Sequence, residues 1–202
     1  LEHTIWSGAA PSRQELAARA GIARAWTMAE LAAACHDAQR QGRVVHYLPP
    51  YQGAGVLRLC RLLGATPDTV ETGVSETLIR AVVALRSVKS GEEVDEIRQA
   101  IALSAKMYAE LMAVCEPGAA EIALYGRLQG LILSSGSREA FPMILSRRGE
   151  VLHNHTRNQI LRDGDLLLVD SGVCSPLGYV SDITRTLPVG GEFSTRQKEI
   201  YE

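Results

Sequence analysis

The sequence predicts a mixed α/β protein in two parts, an α/β layer domain followed by a mainly helical domain that contains a β-hairpin. Three observations lead to this prediction. Strand-like and helix-like runs alternate over residues 1–86, a long amphipathic helix follows, and two apolar or β-branched runs flank a turn between Asp163 and Pro188. Alternating strands and helices favour a layered domain with a largely parallel sheet, whereas helices followed by a hairpin favour an α+β domain.

The first part, residues 1–86, is predicted from helix-start signals and strand-like runs. Ser12 with Glu15, and Thr27 with Glu30, have the spacing of capping boxes, in which each side chain satisfies a backbone donor at the start of a helix. The expected helices cover residues 16–20, 31–40, 56–63 and 75–84. The expected strands cover residues 2–6 and 43–48, where β-branched and aromatic residues concentrate.

The second part, residues 87–202, begins with a third capping box, Ser90 with Glu93. Apolar residues then recur at helical spacing, which predicts one long amphipathic helix that ends before Pro117. A second helix is expected over residues 121–133, a strand over 141–145, a turn at 147–149 and a last helix from residue 194. We place the domain boundary near Arg86.

A predicted hairpin carries the residues that are most suggestive of chemistry. The run 166–169 is wholly apolar and bounded by turn residues, which indicates a strand buried on both faces that ends at Asp170. Asp182 opens a second, β-branched run, and 11 residues separate the two aspartates. A hairpin would place both carboxylates side by side, where they repel unless a proton, an arginine or a metal lies between them. The alternative is two ordinary turn aspartates.

Composition excludes several classes of protein. The chain is 46% hydrophobic and 22% charged with a net charge of −2, so no basic excess indicates nucleic acid and no charge block indicates a membrane surface. No apolar run has bilayer length, and no signal peptide is recognisable. The four cysteines lack CxxC spacing, so reduced thiols and a cytoplasmic location are expected. Because the chain starts at Leu1 and stops at Glu202 inside a helical pattern, we expect a piece of a longer protein.

The hairpin motifs, Leu167-Leu-Val-Asp-Ser-Gly172 and Gly178-Tyr-Val-Ser-Asp-Ile-Thr-Arg-Thr-Leu-Pro-Val189, resemble the first metal-ligand segment of the pita-bread metallopeptidases. More narrowly, they are similar to the branch that contains Xaa-Pro aminopeptidase (aminopeptidase P) and prolidase. The turn at residues 175–177 is one residue longer than the common pattern. The resemblance implies a creatinase-type α/β domain over residues 1–86, incomplete at its start, and the first half of a pita-bread α+β catalytic domain over residues 87–202.

The resemblance also assigns roles to particular residues. Asp170 is expected to hold one of two divalent metal ions, with Mn²⁺ the expected metal, and Asp182 to bridge both. His153 matches a histidine that lies beside the metals and donates a hydrogen bond to the substrate or the tetrahedral intermediate. The hydroxyl of Thr184 is expected to orient the Asp182 carboxylate. His155 is assigned to the rim of the site.

Three further ligands of the family, a histidine and two glutamates, are absent from this chain, which contains no histidine after Asp182. Two carboxylates alone make a weak, open metal site. We therefore expect the isolated 202-residue chain neither to bind metal tightly nor to hydrolyse peptides.

The activity implied by the resemblance is removal of the first residue from peptides with proline in second position, by a water that bridges the two metals. A homodimer formed through the N-terminal domain is also implied. The alternatives are a prolidase, which cleaves only dipeptides ending in proline, a non-catalytic pita-bread module that binds peptides or proteins, and a creatinase-like amidinohydrolase. Asp170 and Asp182 together with His153 favour the metallopeptidase.

Overall fold

The computed structural model describes residues 2–201, and the side chains of residues 4–201. The chain divides into two compact units, Leu1–Val88 and Lys89–Glu202. Within the residues described, none of the helices combines the length and the apolarity needed to span a membrane.

The first unit is built from short helices. Both predicted capping boxes form, with the Ser12 and Thr27 side chains each accepting a backbone N–H at the start of a helix, so these two helix starts are confirmed. The helices are α1 (Glu2–Ser7), α2 (Arg13–Arg19), α3 (Met28–Arg40), α4 (Gly53–Leu63), α5 (Pro67–Thr72) and α6 (Glu76–Ser87).

The two strands predicted in this unit do not form in the residues that the structure describes. Residues 2–6 belong to helix α1, and residues 43–48 are an extended stretch outside any strand. A strand needs a neighbour that completes a hydrogen-bonded ladder. Residues 43–48 have no strand alongside within the described part of the unit, although the Ser75 amide donates to the Tyr47 carbonyl at 3.1 Å. The strand predictions were wrong here because composition reports local preference and not the presence of a partner.

The second unit places two helices ahead of a small antiparallel sheet. The predicted long helix starts at the Ser90–Glu93 capping box, as expected. Strand β1 pairs with β4, and β2, β3 and β5 form a three-stranded sheet in the order β2-β3-β5. The elements are α7 (Gly91–Val114), α8 (Glu121–Ser134), β1 (Arg138–Glu139), β2 (Ile144–Ser146), β3 (Leu166–Ser171), β4 (Val173–Cys174), β5 (Ile183–Pro188) and α9 (Thr195–Tyr201).

The core of the second unit lies between the two helices and one face of strand β3. Alternate residues of β3 are fully buried, and those between them are only half-buried, so the expectation of a strand buried on both faces is corrected to one buried face. Asp170 belongs to the half-buried face, where a carboxylate can reach solvent or a ligand. The core side chains include Met107, Leu111, Leu128, Ile132, Leu167 and Val169.

Candidate functional site

The register of the β3–β5 hairpin sets the geometry of the two aspartates. Asp170 pairs with Thr184 in the antiparallel ladder, and a bridge between Cys174 and Val180 shows that the same register continues toward the turn. Side chains alternate between the two faces of a strand, and directly paired residues share a face. Asp170, Thr184 and Asp182 therefore lie on one face of the hairpin, with the two aspartates diagonally related.

Gly172 lies opposite Asp182 in this register. A Cβ atom added to Gly172 would come within 2.0 Å of the Ser181 carbonyl oxygen and 3.0 Å of the Ala140 Cβ atom. Such contacts with backbone cannot be relieved by a side-chain rotation, so the close approach of the strands beside the aspartates requires glycine. This close approach explains why a glycine stands two residues after Asp170.

Thr184 makes a direct contact with one of the two carboxylates. Its hydroxyl donates to the Asp170 Oδ1 atom at 2.8 Å. This hydroxyl was expected to orient Asp182, two residues away on the same strand, whereas the ladder puts Thr184 opposite Asp170. The hydroxyl thus occupies one oxygen of Asp170, and Asp182 is exposed on the same face.

Tyr108, on helix α7, contacts both strands of the hairpin, and helical periodicity in the sequence does not reveal this contact. Its side chain is buried, at 5% exposure. The phenol is within hydrogen-bonding range of the Ile183 carbonyl and, at 3.3 Å, of the Val169 carbonyl. Those carbonyls belong to the residues adjoining Asp182 and Asp170, so one hydroxyl ties the two aspartate positions to helix α7.

The phenol of Tyr108 is held in its neutral, donating form. Burial and, to a lesser extent, the negative charge of Asp170 raise the pKa of Tyr108 above its usual range. Arg185 and a backbone hydrogen bond at Ser171 lower this pKa by less, and the charge of Asp182 adds a still smaller increase. A donor that stays protonated suits a position between two carbonyl oxygens, since the phenolate would repel them.

The raised pKa of Tyr108 leads to a prediction at alkaline pH. The pKa of Tyr108 is higher in the folded state than in the unfolded state, where it is about 10. The contribution of Tyr108 to the free energy of unfolding is therefore complete below pH ~10 and is lost as the pH rises above that value. Tyr108→Phe should lower the free energy of unfolding by about 0.5–1.5 kcal/mol at neutral pH. The substitution should also make the free energy of unfolding decline less steeply above pH ~10. Urea unfolding at a series of pH values measures this decline.

A matched control for this prediction is Tyr51→Phe. Tyr51 is 92% exposed, so removal of its hydroxyl should leave both the stability and its pH dependence unchanged. An equal alkaline decline in wild type and Tyr108→Phe would show that the phenol is not the titrating group.

His153 lies on a different segment from the aspartates. It is exposed, and residues 151–153 form a bend and turn after β2, closed by a bond from the Asn154 amide to the Val151 carbonyl at 3.2 Å. Among the described residues no hydrogen bond joins His153 to Asp170 or Asp182. The structure brings the two aspartates and Thr184 together, and it places His153 on a separate loop, residues 147–159. The two ends of this loop contact the buried carboxylate of Glu121.

The donor set on the hairpin fits part of a metal site. Carboxylate oxygens such as those of Asp170 and Asp182 are ligands that hard divalent cations accept. Among the side chains of residues 4–201, no group of three or more His, Cys, Asp or Glu converges as a metal site would require. The described residues therefore supply two oxygen-bearing side chains and not a complete coordination sphere.

Comparison with known protein sequences gives consistent matches. The sequence model of metallopeptidase family M24 matches residues 95–202. The chain is similar to the Xaa-Pro aminopeptidase of Escherichia coli, with 38% identity over 122 residues, which is 58% of this chain and 27% of the relative. It is similar to Xaa-Pro aminopeptidase 3 of Homo sapiens, with 33% identity over 143 residues, which is 67% of this chain and 28% of the relative.

Comparison with solved structures gives the same grouping. A histidine-to-alanine variant of Escherichia coli aminopeptidase P superposes with a TM-score of 0.81 and 27% identity, covering 100% of this chain and 47% of that chain. The Pseudomonas aeruginosa aminopeptidase PepP superposes with a TM-score of 0.79 and 28% identity, covering 99% and 47%. The chain thus spans about half the length of these structures, and the prediction of a mixed α/β protein with part of a pita-bread fold is confirmed.

Proposed function

Because the chain belongs to metallopeptidase family M24, we propose that it forms part of a metallo-aminopeptidase that removes the first residue from peptides with proline in second position. The observation that carries the proposal is the hairpin register, which sets Asp170 opposite Thr184 and so puts Asp182 on the same face. Two carboxylates on one face repel each other, and a shared cation turns that repulsion into attraction. The names of the similar proteins supply the substrate class.

The chain's own residues have distinct parts in this proposal. Asp170 would hold one divalent ion through the oxygen that Thr184 leaves free, and Asp182 would lie between two ions. When bound, two such ions supply a water of lowered pKa that can attack a carbonyl near neutral pH. His153, on its exposed turn, would donate a hydrogen bond to the developing oxyanion once the substrate is in place.

Several finer points belong to the same proposal, and all are supported by the resemblance except the cytoplasmic location, which rests on the cysteine pattern. They are Mn²⁺ as the metal, a homodimer, a cytoplasmic location, and a creatinase-type identity for residues 1–86. We also propose that the isolated chain is inactive, since two carboxylates without further ligands bind a divalent ion weakly.

The test uses the full-length protein that contains this chain. Metal content is measured by plasma mass spectrometry, together with hydrolysis of Arg-Pro-Pro and of the dipeptide Leu-Pro, with and without added Mn²⁺. Two metal ions per chain and cleavage of the tripeptide are expected. Cleavage of the dipeptide alone would replace the proposal with a prolidase, and absence of metal and of both cleavages would replace it with a non-catalytic binding module.

A further inference from the structure

Glu121 has the most enclosed carboxylate of the second unit, and it is surrounded by hydrogen-bond donors. Its side chain has 0% exposure. The Oε1 atom accepts from the Arg147 amide at 2.8 Å and from the Ser146 hydroxyl at 3.2 Å. The Oε2 atom accepts from the Gln159 amide at 3.2 Å. Both oxygens are therefore engaged, and the donors come from a loop more than twenty residues farther along the chain.

These donors belong to the two ends of one loop. Arg147 follows strand β2 directly, and Gln159 lies where the loop returns to helix α8. The Glu121 amide also donates to the Gln159 carbonyl at 3.0 Å, so Gln159 is held through both its backbone groups. One side chain thus closes the loop 147–159, which carries His153 on its exposed turn.

A second step connects Glu121 to the residue next to His153. The Ser146 hydroxyl donates its only proton to Glu121 and accepts from the Arg148 amide at 3.0 Å and from the Asn154 side-chain amide at 3.1 Å. One donor and two acceptor positions are the full capacity of a hydroxyl. We call the chain of hydrogen bonds from Asn154 through Ser146 to Glu121 the Ser146–Asn154 relay. Because the Ser146 hydroxyl must donate toward residue 121, the relay requires an acceptor there.

The segment that follows the turn is held by a second, independent set of contacts. The guanidinium of Arg157 donates to the His155 carbonyl at 3.0 Å and to the Met143 carbonyl. It also stacks on the Tyr125 ring, with 3.9 Å between its Cζ atom and the ring centroid. The two residues that follow His153 are thus both held, Asn154 through Ser146 and His155 through Arg157.

The Glu121 charge has no cation as its partner among these contacts. The guanidinium of Arg147, the residue whose backbone amide contacts Glu121, pairs instead with Asp165, at 2.8 Å between Nε and Oδ2. A buried carboxylate is costly unless donors satisfy it. A purely packing role would be served better by an apolar side chain, so the carboxylate indicates a need for hydrogen-bond acceptors at this point.

We propose that Glu121 is a positioning residue for His153, which fixes the loop 147–159 so that the imidazole meets the substrate; this role rests on the proposed peptidase function. Glu121 touches neither substrate nor metal in this proposal. It acts through the Ser146–Asn154 relay and through the closure of the loop at Gln159.

The first variant to test is Glu121→Gln in the full-length protein. The amide group of glutamine would replace one acceptor with a donor that faces an N–H or O–H donor, so one end of the loop is released. Because a misplacement of about 1 Å can cost about a hundredfold in rate, we expect kcat for Arg-Pro-Pro to fall by about tenfold to a hundredfold, with KM and metal content little changed. Glu116→Gln, at an exposed glutamate, is the matched control and should keep wild-type kinetics.

A double-mutant cycle separates this role from general loosening of the fold. If Glu121 acts through His153, adding Glu121→Gln to His153→Ala should not lower kcat further. An undiminished fall of kcat in the His153→Ala background, or no fall in the wild-type background, would overturn the proposal. Should Glu121→Gln fail to fold, Ser146→Ala breaks the same relay more mildly and is expected to show the same cycle.

Hydrogen exchange distinguishes failure of this proposal from failure of the proposed function. Glu121→Gln should speed amide exchange over residues 147–159 relative to Glu116→Gln, whether or not the protein cleaves peptides. If wild type is inactive on both peptides but exchange increases, the peptidase assignment fails and the anchoring by Glu121 stands. Unchanged exchange would refute the anchoring itself.

Discussion

Replacement of Asp182 by alanine in the full-length protein should reduce hydrolysis of Arg-Pro-Pro by more than about 100-fold. Loss of an outer partner of a metal ligand typically costs about 10–100-fold in metal affinity or activity, and loss of Asp182, which we propose as a bridging ligand, should exceed this. Bound metal, measured by plasma mass spectrometry, should fall in parallel. Because Asp182 shares a face with the Asp170 carboxylate, its removal relieves a repulsion in the metal-free protein, so stability measured with a chelator present should not decrease.

Asp95→Ala is the matched control for this prediction. Asp95 lies on an exposed part of helix α7 and pairs with Arg98 at 3.1 Å, an exposed ion pair. Exposed pairs contribute about 0–1 kcal/mol, so activity and metal content should stay at wild-type values. Full activity in Asp182→Ala would show that the hairpin aspartates are ordinary turn residues.

Replacement of Leu128 by alanine should lower the free energy of unfolding by about 2–5 kcal/mol. Leu128 has 0% exposure and belongs to the core cluster between α7, α8 and β3. The cost combines the lost burial of three carbon atoms with the cavity that remains. Because the protein's tryptophans, Trp6 and Trp26, lie outside this unit, unfolding in urea should be followed by far-ultraviolet circular dichroism.

Leu133→Ala provides the comparison on the same helix with the same change of side chain. Leu133 is 59% exposed, and surface substitutions usually change stability by no more than about 0.5 kcal/mol. Equal losses in the two variants would contradict the assignment of Leu128 to the core.

Local chemistry was sufficient to predict the helix starts and the hairpin. The pairs Ser12 with Glu15 and Ser90 with Glu93 form capping boxes in the structure as they do in the sequence pattern. A capping box depends only on residues three positions apart, so sequence spacing determines it. The hairpin likewise follows from two strand-forming runs on either side of a short turn.

The extended stretch 43–48 shows where local chemistry is insufficient. Its β-branched and aromatic residues favour strand, yet a strand exists only when a second chain segment supplies the complementary hydrogen bonds. The same limit applies to Thr184, because only the ladder register decides that its hydroxyl meets Asp170.

The sequence by itself determined the helix starts, the hairpin and the family resemblance, which together single out Asp170, Asp182 and His153. Only the tertiary structure decided which residues support them. The Tyr108 phenol reaches Ile183 across 75 positions of sequence, and the Glu121 carboxylate reaches Gln159 across 38. Contacts between residues so far apart leave no periodic signal in the chain. They form because a buried polar group must find its partners wherever the packed elements bring donors and acceptors together.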